Sequence, residues 1–219
     1  MRTFDTPTPI SAVIDVPAGR VRLVAADGAG TAVEVRPADA ATGRDARAAE
    51  RTAVEFHDGV LRIATPAKHG VFGPSGTVEV TVQLPAGSHV EVEGVAGLRG
   101  VGRLGDVTAE GSHGTIELDE AASAHLTALA GDVSIGRLTG PAEVTTTKGD
   151  IRIAEAGPGA LVLRTRVGDI TVDAAAGVSA AMDAGTGCGR ISNALANDGT
   201  TELDIRATTT HGDITARSR

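Results

Sequence analysis

Tryptophan and tyrosine are absent from this chain, and phenylalanine occurs only three times. That removes the usual anchors of protein hot spots, sugar stacking and single-stranded nucleic-acid platforms. A single cysteine, Cys188, excludes an internal disulfide framework and any multi-cysteine zinc or iron–sulfur centre. Twenty basic against 28 acidic residues leave a formal charge of -8. Nucleic acid and anionic membrane surfaces both need concentrated Lys and Arg, so neither is expected as the main partner. The acidic excess is even, with 9 basic and 12 acidic residues in 1–96 and 11 and 16 thereafter. No run nears the ~20 apolar residues of a membrane span. Met1–Ile10 lacks the apolar stretch and cleavage site of a signal peptide, and the expected location is the cytoplasm.

What the chain has in abundance is glycine, 29 in 219 residues, and it is periodic. Six segments share a glycine followed by alternating apolar positions. They are Gly114-Thr115-Ile116-Glu117-Leu118, Gly131-Asp132-Val133-Ser134-Ile135 and Gly149-Asp150-Ile151-Arg152-Ile153, then Gly168-Asp169-Ile170-Thr171-Val172, Gly189-Arg190-Ile191-Ser192-Asn193 and Gly212-Asp213-Ile214-Thr215-Ala216. With a degenerate anchor at Gly97, the spacings run 17, 17, 18, 19, 21 and 23 residues. A second alternating segment precedes each anchor, carrying Val107/Ala109, Ala124/Leu126, Ala142/Val144, Leu161/Leu163, Met182/Ala184 and Ile205/Ala207. Period-2 alternation buries one face of each segment. Two short strands cannot close a core, so the units must stack, each strand pairing with its counterpart one coil away. Glycine at each corner supplies φ > 0 without a Cβ penalty.

The expected fold is therefore all-β, a parallel β-solenoid or β-helix, with seven anchors stacking to about 29 Å at ~4.8 Å per coil. Residues 97–219 are the regular repeats. Residues 1–96 are irregular coils and a cap continuous with them. Alternation there marks Ala12–Val16, Val21–Val24, Val33–Val35, Val54–Phe56, Val60–Ile63, Val78–Leu84 and Val90–Val92. Asp58-Gly59 signals a hairpin. Asp45–Arg51 is the one helical stretch, and Pro66–Gly76 is an expected exposed loop.

These units, with the entry Val78-Glu79-Val80-Thr81-Val82-Gln83-Leu84-Pro85-Ala86-Gly87, resemble the bacterial putative-adhesin family, a β-strand-repeat domain of unknown function. The resemblance covers roughly Ile10 to the end, and its label implies an extracellular adhesive role. Arginine outnumbers lysine 18 to 2, a bias that suits a GC-rich bacterial genome.

Several constellations could carry chemistry. Asp132, Asp150, Asp169 and Asp213 should form a partial column, interrupted by Thr115 and Arg190. Stacked carboxylates can bind a hard cation, and paired ones can cleave polysaccharide. The favoured reading is a corner hydrogen bond to backbone N–H, so they are only weak metal candidates. Cys188 and His211 are expected neighbours, a nucleophile–base pair or half a metal site by letters alone, and more simply packing residues. His57, His69, His89 and His125 have no ligand spacing. Gly100-Val101-Gly102-Arg103-Leu104-Gly105 matches a dinucleotide fingerprint, but a strand-like piece follows where a helix is required. Thr146, Thr165, Thr186 and Thr209 share a column that Gly111 and Ala128 interrupt. It is read as a hydrogen-bonded threonine ladder, with a flat ice-binding face as the lesser alternative.

No catalytic residue and no cofactor is expected. Gly114, Gly131, Gly149, Gly168, Gly189 and Gly212 are read as structural corners. The reading is a non-enzymatic scaffold or interaction module, binding a protein partner or itself. Its contact site is placed at the C-terminal end, with Asp213–Ala216 as the uncovered last strand. A carbohydrate-binding adhesive module is the first alternative and a polysaccharide-acting solenoid enzyme the second.

Overall fold

In the computed structural model, which describes residues 1–17, 19–28, 30–66 and 76–219, the alternating segments become strands and one short segment becomes a helix. The strands are β1 (Arg2–Phe4), β2 (Ser11–Asp15), β3 (Arg20–Ala26) and β4 (Thr31–Pro37), followed by helix α1 (Gly43–Arg51). Then come β5 (Ala53–His57), β6 (Val60–Ala64), β7 (Val78–Pro85), β8 (His89–Glu93), β9 (Gly97–Ser112) and β10 (Ile116–Ala128). The remainder are β11 (Val133–Leu138), β12 (Ala142–Lys148), β13 (Ile151–Ala156), β14 (Gly159–Val167), β15 (Ile170–Ala174), β16 (Ala180–Cys188), β17 (Ile191–Ala194), β18 (Leu203–His211) and β19 (Ile214–Ser218). Most of the expected Pro66–Gly76 loop, and His69, lie outside the described residues. No described helix is long and apolar enough to cross a membrane.

The chain is the expected parallel β-solenoid. Strands after the glycine corners pair in one series, β7–β3–β9–β10–β11–β13–β15–β19–β17. Strands before the corners pair in the other, β6–β2–β8–β9–β10–β12–β14–β18–β16. Both series are parallel throughout. Their inward residues, such as Ile116, Ile135, Ile153, Leu161, Leu163 and Ile205, are fully buried.

The order of coils is not the order of the chain. The C-terminal coil, β18–β19, lies between β14–β15 and β16–β17. The N-terminal coil, β2–β3, likewise lies between β6–β7 and β8–β9. Expecting sequential stacking, with Asp213–Ala216 as the open last strand, is therefore wrong: the open coil is β16–β17. Burial explains the exchange. Leu203, Ile205, Ala207, Ile214 and Ala216 are apolar and all are buried, whereas the positions paired with them on the other coil include Asn193. Sequential stacking would put Asn193 between Val172 and Ala216, and an unpaired amide there costs about 1–3 kcal/mol. Placed last, it meets solvent.

The two ends differ. At the N-terminal end β4 pairs antiparallel with β7, β1 with β4, and β5 with β6. Asp58 (φ 49°) and Gly59 (φ 77°) form the expected hairpin turn between β5 and β6. Phe4 and Phe56 meet at 5.2 Å between ring centroids, and Arg2 Nη1 donates to the Val54 carbonyl at 2.6 Å. Helix α1 is pinned by buried Asp45, which accepts the backbone N–H groups of Thr77 (3.0 Å) and Asp39 (3.2 Å). At the other end, beyond β16–β17, the loop 195–202 reaches back: Asn197 Nδ2 donates to the Ala180 carbonyl at 3.0 Å.

Candidate functional site

The glycine corners form a column in which each glycine rests against the one beneath. A Cβ on Gly131 would lie 2.5 Å from the Gly114 carbonyl carbon. Substituents on Gly149, Gly168, Gly212 and Gly189 would collide with the carbonyls of Gly131, Gly149, Gly168 and Gly212 respectively. These five have positive φ, between 111° and 156°. Gly114 does not, and its requirement is close approach alone, since a Cβ would strike the Ala96 carbonyl. Register corrects one anchor: Leu98 pairs with Ile116, so the position matching Gly114 is Ala96, not Gly97.

The aspartates after these corners build a ladder. Asp132 Oδ1 accepts the backbone N–H of Asp150 (2.9 Å), Asp150 that of Asp169 (2.8 Å), Asp169 that of Asp213 (2.7 Å) and Asp213 that of Arg190 (2.8 Å). Arg190 ends it, its guanidinium 3.3 Å from Asp213 Oδ2. The Arg190 backbone N–H, with its side chain and charge adding to it, holds the Asp213 carboxyl below the ordinary range. One oxygen of each aspartate is thus committed to the adjacent coil. Among the described residues no three His, Cys, Asp or Glu side chains converge as a metal set.

The threonine column points into the corner. Thr165 Oγ1 donates to the Gly149 carbonyl (3.1 Å), Thr209 to Gly168 (3.0 Å) and Thr186 to Gly212 (2.9 Å). These three threonines bond glycine carbonyls rather than one another, and Thr146, Thr165 and Thr209 are buried. A flat threonine face for ice is thereby excluded. A register shift aligns Ser112, not Gly111, with Ala128, so the break at Gly111 is a bulge. Thr146 Oγ1 is buried with no partner.

Cys188 and His211 are register neighbours on β16 and β18. Cys188 is exposed, and no hydrogen bond joins the two side chains. His57 pairs with Asp58 at 3.0 Å and His125 with Glu143 at 3.8 Å. One cluster was illegible from spacing: His89 Nδ1 lies 3.1 Å from Asp106 Oδ2, and Ser123 Oγ donates to Asp106 Oδ1 at 2.5 Å. The carboxylate stands between hydroxyl and imidazole, so the histidine is not placed to take the serine proton, as a nucleophilic triad requires. Gly100, Gly102 and Gly105 lie within strand β9, and no helix opens there for a dinucleotide.

Two further features were not foreseen. Asp173, with a side chain 2% exposed, is gripped by Arg217 through two bonds of 2.8 and 3.1 Å, with Arg219 at 3.8 Å. Hydrogen bonding from Arg217 outweighs desolvation and holds this carboxyl below its ordinary range. The pair ties the C-terminal coil to β15. A groove of about 440 Å3 runs over β3, β7 and β9, lined by Arg20, Arg22, Glu79, Thr81, Arg99 and Glu117. Its charges largely answer one another, Arg20 with Glu79 at 3.3 Å and Arg99 with Glu117 at 3.6 Å.

The open end remains. At the first inward position after the corner, Ile116, Val133, Ile151, Ile170 and Ile214 are at most 1% exposed, while Ile191 is 46% exposed. Strand β17 is exposed along its whole length, and among the described residues it pairs on one side only, with β19.

Comparison with known proteins bears on the fold. Over its full length the chain is similar to a solved putative cell adhesion protein from Clostridium sporogenes, at 11% identity, 97% coverage of that chain and a TM-score of 0.39. A putative adhesin from Bacteroides fragilis is 13% identical, with 98% of this chain and 95% of that one covered, at a TM-score of 0.48. One from Parabacteroides distasonis is 16% identical, with the same two coverages and a TM-score of 0.38. No curated protein matches the chain. The family model described as Toastrack DUF4097 matches residues 22–219, which takes in the glycine column, the aspartate ladder and both coils of the exchanged C-terminal end. The chain belongs to the Toastrack DUF4097 family.

Proposed function

We propose that this protein is a non-enzymatic interaction module, a scaffold whose contact surface is the open end of the stack, the edge formed by β16 and β17. The observation that carries this reading is Ile191: its column is buried in every other repeat coil and uncovered in this one. An added strand would bury the isoleucine and pair the outer backbone edge of β17, the two gains that drive strand addition. Elsewhere the chemistry-bearing side chains already serve the coil beside them. The aspartates hold backbone N–H groups, the threonines hold glycine carbonyls, and Phe4 and Phe56 pack on each other, which favours a structural surface over a catalytic or sugar-stacking one.

Immobilised wild-type protein and the Ile191→Lys variant, matched for folding by circular dichroism, are compared for what each retains from lysate and for binding to a glycan array. Partners retained by the wild type and lost by the variant support the reading. Identical retention by both, or glycan binding indifferent to the substitution, overturns it.

A further inference from the structure

We infer that two adjoining cavities on the outer face of the strands that follow the corners form one peptide-binding groove, separate from the open end. Its ligand is an extended segment with an acidic side chain at one end and a basic side chain at the other.

The first cavity, of about 440 Å3, is the one over β3, β7 and β9. The second, of about 270 Å3, is lined by Asp132, Ser134, Asp150 and Arg152 at β11 and β13. Thr115 and Glu117 border both, so the two are continuous. The first alone falls within the roughly 300–1,000 Å3 of ordinary ligand sites.

A missing side chain opens the groove. Gly97 pairs with Arg20 in register and presents nothing to the outer face. The backbone does not require glycine there: a Cβ would meet only the Thr115 carbonyl, at 3.6 Å, and φ is not positive. A Cβ on Gly102, Gly105 or Gly114 would instead collide with a carbonyl. With Ala96 in the corner position, the fold leaves Gly97 unexplained, and an open groove explains it.

The two ends are opposite in charge. At the first, Arg20 is paired with Glu79 at 3.3 Å and Arg99 with Asp119 at 2.7 Å. Arg22 is exposed and lies in register between Thr81 and Arg99, and among the described residues it has no ion-pair partner. Like charges side by side are unfavourable, and a carboxylate laid over Arg22 relieves them through charge-assisted bonds. At the second end Asp132 and Asp150 commit Oδ1 to the ladder. Their Oδ2 atoms have no hydrogen-bond partner among the described residues, and with Glu117 these aspartates outnumber Arg152.

Spacing sets the segment. β3, β9, β10, β11 and β13 are successive strands by pairing. The acidic end therefore lies three to four strand spacings from Arg22, roughly 14–19 Å. An extended peptide covers that distance in about four to six residues.

Amide NMR titration of the full chain at low salt, with the peptide acetyl-Glu-Ser-Thr-Ser-Thr-Lys-amide, tests the groove. Shifts are expected at Arg22, Gly97, Thr115 and Asp132. Arg22→Gln should raise the dissociation constant roughly threefold, the weight of one exposed ion pair, and so should glutamine in place of either charged residue of the peptide. Gly97→Gln should block binding while the melting temperature holds. Ile191→Lys should leave binding unchanged, so failure of this inference is distinct from failure of the open-end reading. No shifts at millimolar peptide overturn the groove as a binding site. Shifts centred elsewhere, or binding indifferent to Arg22→Gln, overturn its location. Equal binding of a peptide stripped of both charges overturns the charged ligand.

Discussion

Asp213 accepts the backbone N–H of Arg190 at 2.8 Å, so a residue from the last coil in sequence lies beneath one that precedes it by 23 positions. The chain reaches outward to form β16–β17, returns, and fills the space it left. The Asp213 bond and the Asp173–Arg217 pair hold the two faces of the inserted coil.

The Asp173–Arg217 pair makes stability acid-sensitive. A carboxyl whose folded pKa is depressed stabilises fully above its unfolded value, near 3.9, and that contribution is lost as pH falls through the folded value. Asp173→Asn should cost about 2 kcal/mol at neutral pH and flatten the loss of melting temperature below about pH 4. Thermal melts of both proteins from pH 7 to pH 2.5 check this; parallel curves contradict it.

Gly149→Val should be severe. The residue sits at φ +145°, and a Cβ would strike the Gly131 carbonyl. Backbone cannot retreat as a flexible side chain can, so a loss above about 3 kcal/mol is expected. Gly185→Ala is the control, because nothing lies within 4 Å of its added carbon and its φ is not positive. Chemical denaturation of the pair should separate them widely.

Thr165→Val and Thr146→Val should diverge. The first removes a 3.1 Å bond to the Gly149 carbonyl and should cost about 1 kcal/mol. The second replaces a buried hydroxyl that has no partner and should be neutral or stabilising. Equal losses in urea titrations would show that the threonine column acts only by packing.

Asp150→Asn should change stability by less than about 0.5 kcal/mol, because the amide oxygen still accepts the Asp169 N–H, while Asp150→Ala should cost about 1 kcal/mol. Millimolar calcium or a chelator should leave the wild-type melting temperature unmoved, since the ladder already engages an oxygen of each aspartate. A rise with calcium that Asp150→Asn abolishes would restore the cation site.

Much of this was legible in advance for a local reason. A corner with positive φ that rests on the glycine below admits only glycine, so the period of the coil is written as the period of Gly131, Gly149 and Gly168. Alternation at Leu161/Leu163 or Ile151/Ile153 likewise shows which face is buried, and the short acceptor at Asp150 indicates a corner bond. Ala96 escaped notice because Gly97 beside it mimics the pattern, and a register of one residue is set by cross-coil pairing.

The sequence by itself therefore determined the unit: strand, corner, strand, inward face and outward face. Tertiary structure decided the order of units, the Ser112 bulge, the Asp173–Arg217 pair and which end stays open. Repeats built to pair with any neighbour do not encode which neighbour they meet. That choice is made by comparing whole stacks, where burying the apolar coil that ends in Ala216 and leaving Asn193 in water has the lower free energy.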